Sequence, residues 1–209
     1  PVHGQRRFVN DRDAYLRLIE ASKIALRPLP DARLGVAPHS LRAVALDDLD
    51  WIASLRPDAP VHIHVAEQMR EVEDSQKLTG RRPVELLMEN TALGSRWCLI
   101  HATHLTDAER DGIAASGAVA GLCPITESSL GDGIFDGVRY RDAGGIFGVG
   151  SDSNIQIDAG SELRQLEYSQ RLRDRRRSLF AEPDASTGVA LWRGACLGGA
   201  RACGRDIGR

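Results

Sequence analysis

Three short apolar runs in this chain end on a residue able to ligate a metal ion or move a proton, and each leads into a helix-forming stretch. Val61-His62-Ile63-His64-Val65 closes on a histidine pair, with Glu67 three residues beyond His64. Trp97-Cys98-Leu99-Ile100-His101 finishes on a histidine, and Gly145-Ile146-Phe147-Gly148-Val149-Gly150-Ser151-Asp152 finishes on an aspartate. Short apolar runs alternating with amphipathic stretches, without hairpin signals between them, mean parallel strands joined by helical crossovers. The fold class expected is therefore α/β. Barrels of β/α units carry their chemistry at the C-terminal ends of the strands. Strand-terminal His, His and Asp are what a metal-dependent hydrolase on such a barrel would show.

Along the chain, Arg33 to His39 reads as a strand, followed by a helix through Leu46, Leu49, Ile52 and Leu55 that stops before Pro57. Val61 to Val65 is the second strand, with helical stretches from Glu67 to Lys77 and from Val84 to Glu89. Trp97 to His101 is the third, and Thr106-Asp107-Ala108-Glu109 reads as a capping box opening a helix that stops near Gly117. Ala118 to Leu122 is the fourth, followed by a long loop through Gly133. Ile146 to Gly150 is the fifth, followed by a helix from Ala159 into the charged run Arg171 to Arg177, and a last helix spans Ala190 to Ala202. A lone amphipathic helix through Tyr15, Leu18 and Ile19 precedes them all. A complete eight-stranded barrel takes roughly 250 residues, and five strands cannot close one. The expectation is one partial barrel domain over residues 1–209, with about five β/α units, cut at both ends.

Composition narrows the function classes. With 209 residues, 42% of them hydrophobic, and a net charge of -2, the chain can bury a core and carries no bias toward nucleic acid or anionic membrane. The four cysteines lack C-x-x-C spacing, and Cys98 and Cys123 fall inside apolar strands; reduced, buried thiols explain them better than disulfides or a zinc ribbon. No apolar run reaches about 18 residues and no basic-then-apolar leader is present, so the cytoplasm is the expected location.

Several segments resemble the amidohydrolase superfamily and, within it, the formimidoylglutamate deiminase family. They are Gly4 to Phe8, Ala37-Pro38-His39-Ser40-Leu41-Arg42-Ala43-Val44, His62 to Gln68, Trp97 to His104, Leu130-Gly131-Asp132-Gly133-Ile134-Phe135, Gly150 to Ser153 and Leu163 to Asp174. The His-x-x-Glu, strand-end His and Ser-Asp elements are shared across the superfamily. The segments around His39 and Leu130 narrow the likeness to the deiminases. The resemblance implies the C-terminal portion of a (β/α)8 TIM-type barrel holding one zinc ion. His64 and Asp152 match metal ligands, and Glu67 matches the proton-shuttling carboxylate. His101 matches the histidine that contacts the reacting water, and His39 and Arg42 match residues facing the substrate. The family's first-strand His-x-His pair and its small β-sandwich have no counterpart here. The implied reaction is hydrolysis of N-formimino-L-glutamate to N-formyl-L-glutamate and ammonia, in histidine breakdown. The implied partners are a small-molecule substrate and, for the full-length enzyme, a second copy.

The residues alone agree with that chemistry. Adding hydroxide to a C=N carbon calls for zinc-activated water, a carboxylate to carry its proton (Glu67), a hydrogen-bonding imidazole (His101) and a second proton acceptor (Asp152). The two carboxylates of a glutamyl group call for a cation that binds in a fork, and Arg42 is the first choice. Other residues stay open or bland. His62 reads as a hydrogen-bonded interior histidine and His104 as a loop or helix-start residue. Glu127 either touches the substrate's amino group or is an exposed loop carboxylate. Arg171 to Arg177 reads as a solvated helix face, and Arg6 and Arg7 reach either substrate or solvent. Two other readings remain. One is a superfamily deaminase acting on an aminopurine or cyclic amidine, against which the 5% aromatic content argues weakly. The other is a metal-free scaffold or binding module.

Overall fold

The computed structural model describes residue 6 and residues 8–207. Gly4, Gln5 and Arg7 lie outside the described residues, and Arg6 is exposed. The chain divides into two units, Pro1–Leu34 and Gly35–Arg209. The first contains helix α1 (Arg12–Leu26), whose N-cap Asp11 accepts a hydrogen bond from the Ala14 N–H, satisfying one of the open donors of the first turn.

The second unit is built on four parallel strands in the order of the chain: β1 (Val61–Val65), β2 (Trp97–His101), β3 (Val119–Leu122) and β4 (Ile146–Val149). Register is continuous, with His64 opposite Ile100, Val65 opposite His101, and Leu122 opposite Val149. Between strands run α2 (Leu46–Ser54) before β1, α3 (Met69–Thr79) and α4 (Pro83–Asn90) after it, and α5 (Asp107–Ser116) after β2. Helices α6 (Pro124–Leu130) and α7 (Gly137–Asp142) follow β3, and α8 (Ala159–Asp174) and α9 (Thr187–Ala202) follow β4. This is the parallel β/α arrangement expected. The core sits between strands and helices: Val61, Ile63, Val65, Leu99, Val119 and Leu122 are all but fully buried. Arg96 ties α2 down by donating to the carbonyls of Ala53, Arg56 and Ala59. Among the described residues no helix is long and apolar enough to cross a membrane.

The structure departs from the sequence reading in four places. The strand expected over Arg33 to His39 is reduced to two parallel bridges on β1, Val36 to Val61 and Ser40 to His64, with a slip of one residue between them. Pro38 is the reason. A continued ladder needs an N–H at that position, which proline lacks, so His64 N–H bonds the carbonyl of His39. Gly35 permits the approach that starts this segment, since a Cβ there would meet the Pro60 carbonyl oxygen at 2.8 Å. The loop expected after Leu122 is largely helix α6, opened by a proline at its first position. Cys123 is therefore that helix's N-cap and not a strand residue, although it is buried like Cys98, whereas Cys196 and Cys203 are exposed. Finally, the arginine run is more than a solvated face. Arg171 pairs with Glu167, Arg173 pairs with Asp136 and Asp174, and α8 stops at Asp174.

Candidate active site

The C-terminal ends of the strands leave the sheet abruptly. Ala66 after β1, His101 and Ala102 at the end of β2, and Asp152 after β4 all have left-handed backbones, with φ of 50°, 67°, 47° and 45°. Non-glycine residues rarely adopt that region, and it concentrates where a structure over-determines it, often at functional sites. Here Glu71, on α3 and 6% exposed, accepts the N–H groups of both Ala66 and Glu67 at 3.1 and 3.0 Å. A buried carboxylate thus pins the turn that presents Glu67.

The turns bring together most of the residues singled out from the sequence. The rings of His39, His64 and His101 form a row, with centroids 4.9 and 5.7 Å apart. His64 Nδ1 lies 2.8 Å from the His39 carbonyl oxygen. A carbonyl can only accept, so Nδ1 carries the hydrogen and Nε2 keeps its lone pair. His101 is 1% exposed. Its Nε2 faces Glu67 Oε1 at 3.7 Å and Asp152 Oδ2 at 3.8 Å, and its Nδ1 faces Glu127 Oε1 at 3.3 Å. Arg42 is not free at the rim: its Nη2 donates to Glu67 Oε2 at 2.8 Å. His39 Nδ1 bonds Ser40 Oγ at 2.9 Å. Thr126, on α6, bonds Ser151 O and Ser153 Oγ on either side of Asp152.

The bland assignments sort as well. His62 Nε2 bonds the Ala202 carbonyl at 2.8 Å on the α9 side of the sheet, and His104 Nε2 bonds Asp132 O at 2.7 Å. Glu127 is no exposed loop carboxylate. It is 3% exposed, on α6, and turned toward His101. Its neighbourhood is hidden in the sequence because a seven-residue helix rich in Pro, Thr and Ser has the composition of a loop. Glu71 was missed as well, and its only signal was a carboxylate in the first turn of a helix.

The electrostatics follow from the crowding of acids. Burial pulls His101 down, but the hydrogen bond to Glu127 and the charges of Glu67, Glu127 and Asp152 outweigh it and hold the imidazolium above its ordinary value. His39 is lowered, first by burial and then by His64 and Arg42, against Glu67. Burial pushes the Cys123 thiol far up, helped by Glu127, Asp152 and Glu162. The set also suits a metal ion. One ligand atom each from His101, Cys123 and Asp152 lies within 4.8 Å of the others, and the fixed tautomer of His64 turns an unshared lone pair away from its carbonyl partner, as ligand histidines do. Within that group the carboxylate and imidazole are better donors than Cys123, whose thiolate is disfavoured by burial and surrounding carboxylates.

A model of the amidohydrolase family matches residues 8–209. The chain is 48% identical over 207 residues to the formimidoylglutamate deiminase of Pseudomonas aeruginosa, covering 98% of this chain and 46% of that protein. It is 32% identical over 209 residues to a 5-methylthioadenosine/S-adenosylhomocysteine deaminase of Halobacterium salinarum, covering 96% and 47%. Among solved structures, an amidohydrolase from Brucella melitensis superposes with a TM-score of 0.96 at 56% identity, over 98% of this chain and 46% of that one. An adenosine deaminase from Xanthomonas campestris with bound zinc superposes with a TM-score of 0.83 at 26% identity, over 94% and 44%. The chain thus spans somewhat less than half the length of the relatives it matches.

Proposed function

The chain belongs to the amidohydrolase family, and from that premise we propose that it carries one side of the active site of a zinc-dependent hydrolase that converts N-formimino-L-glutamate and water to N-formyl-L-glutamate and ammonia. The observation that carries the reading is His101 Nε2, which looks onto Glu67 and Asp152 at 3.7 and 3.8 Å from the end of β2. The 48% identity to a formimidoylglutamate deiminase supports the substrate. His64, through Nε2, and Asp152, through its carboxylate, would hold the metal. A divalent ion there supplies hydroxide near neutral pH, by lowering the pKa of water to about 7.

Glu67 takes the proton of the attacking water and delivers it to the departing nitrogen, so that ammonia leaves as the C–N bond breaks. His101 holds the attacking oxygen by hydrogen bond and stabilises the negative charge that grows on it. Asp152 takes the second proton, from the hydroxyl of the adduct as its C=O forms, and passes it on to the departing nitrogen, which completes ammonia. Arg42, paired with Glu67, exchanges that carboxylate for one of the substrate's own, which releases Glu67 for proton transfer as the substrate settles. His39 faces the same group.

The experiment is steady-state ammonia release from the zinc-loaded enzyme that contains this chain, offered N-formimino-L-glutamate or 5-methylthioadenosine. Turnover of the first and none of the second is expected, and the reverse would overturn the substrate. Glu67→Gln should cut kcat by about 100-fold or more with zinc retained. Arg42→Ala should raise KM by about tenfold, with a smaller change in kcat. Equal losses of kcat with unchanged KM in both variants would contradict these roles.

A further inference from the structure

Glu127 has no part in the steps above, yet it is a carboxylate with 3% exposure beside the residue on which they turn. Both of its side-chain hydrogen bonds fall on one oxygen. Oε1 accepts from the Cys123 backbone N–H at 3.0 Å and from His101 Nδ1 at 3.3 Å. The first bond ties the carboxylate to the N-terminus of its own helix, so backbone fixes its position. The second fixes the rotation of the His101 ring, whose Nδ1–H donates to the carboxylate oxygen. With Nδ1–H committed to Glu127, Nε2 is the nitrogen left facing Glu67 and Asp152. His101 stands at the last position of β2, where the backbone has already turned left-handed, and backbone pairing there leaves the rotation of its ring to a side-chain partner.

We propose that Glu127 is a positioning residue, which locks the His101 ring in one orientation so that Nε2 addresses the reacting atoms. The assignment rests on the reading of His101 given above. Glu127 touches neither substrate nor metal; it acts through the imidazole, as outer carboxylates act on the histidines of metal sites.

The shared oxygen makes the idea testable. In Glu127→Gln an amide oxygen can accept both bonds while the charge is lost; in Glu127→Ala both bonds are lost. In the zinc-loaded, full-length enzyme, Glu127→Ala should lower kcat for formiminoglutamate by about 10–100-fold, with KM within about twofold of wild type. Glu127→Gln should stay within about threefold in both. 1H–15N spectra of histidine-labelled protein should show the His101 Nδ1–H protected from solvent exchange in wild type and in Glu127→Gln, and that protection lost in Glu127→Ala. Where the alanine variant does not fold, Glu127→Met fills the space without an acceptor and is held to the same outcomes. Unchanged kcat in the folded variant lacking an acceptor, equal losses in it and in Glu127→Gln, or the same Nδ1–H protection throughout would overturn the proposal. The spectra need no substrate, so a wrong substrate assignment would appear as silent turnover beside an intact difference in Nδ1–H protection.

Discussion

At the scale of single residues, the two histidines with shifted titration act in opposite pH windows. His101 is raised above its ordinary 6.5, so the folded chain binds its proton more tightly than the unfolded chain. The stability it adds is fully present below pH 6.5 and is lost as pH rises through the folded value. His39 is lowered from 6.5, so its contribution is full above that pH and is lost as pH falls through the folded value. In metal-free protein, urea midpoints followed against pH should therefore fall on both sides of about 6.5. His101→Gln should flatten the alkaline limb and His39→Gln the acid limb; an alkaline limb that survives His101→Gln would refute the assignment. Sequence periodicity was enough to place His64, His101 and Asp152 at strand ends, because period-two alternation and a run's terminus are local properties. Glu127 and Glu71 were not legible in their roles. Each serves a group through a long-range or capping hydrogen bond, and no spacing rule records which backbone or ring a carboxylate will reach.

At the scale of elements, α9 lies against β4 with no room for a side chain between them at Gly198. A Cβ added to Gly198 would lie 1.8 Å from the Phe147 carbonyl oxygen, whereas one added to Gly199 meets nothing within 4 Å. Neighbouring glycines of one helix should thus respond with opposite sign. Gly198→Ala should destabilise by about 2–3 kcal/mol through overpacking, and Gly199→Ala should stabilise by about 0.5–1 kcal/mol through helix propensity. Thermal unfolding of the two variants checks this, and similar melting temperatures would refute it. The strands β1 to β4 are readable because short apolar runs, with alternate residues buried in β1, leave a plain signal. The segment before β1 and the helix after β3 were misread for a common reason, which is proline. At position 38 it removes a ladder donor inside an apparent strand, and at position 124 it opens a helix inside an apparent loop.

For the molecule as a whole, the parallel sheet is the arrangement of one arc of a β/α barrel, and we propose that further strands complete it in the full protein. Catalytic zinc takes three protein ligands and an open position, and our reading assigns two of them, His64 and Asp152, to this chain. Equilibrium dialysis should find the 209-residue chain binding zinc on the order of 100-fold more weakly than a longer protein with a His-x-His strand. Equal affinities would mean that the ligands lie elsewhere, with Cys123 and His101 the first to re-examine. The left-handed turns at Ala66, His101, Ala102 and Asp152 have a bearing on how such a protein can change. They gather conformational cost at one rim, while the opposite ends of the same strands lie in relaxed, buried ladder. In a laboratory selection, substitutions at the strand starts would be filtered by how much protein accumulates. Those at the rim would be filtered by what it turns over, so a new substrate range is best sought there, with little loss of yield.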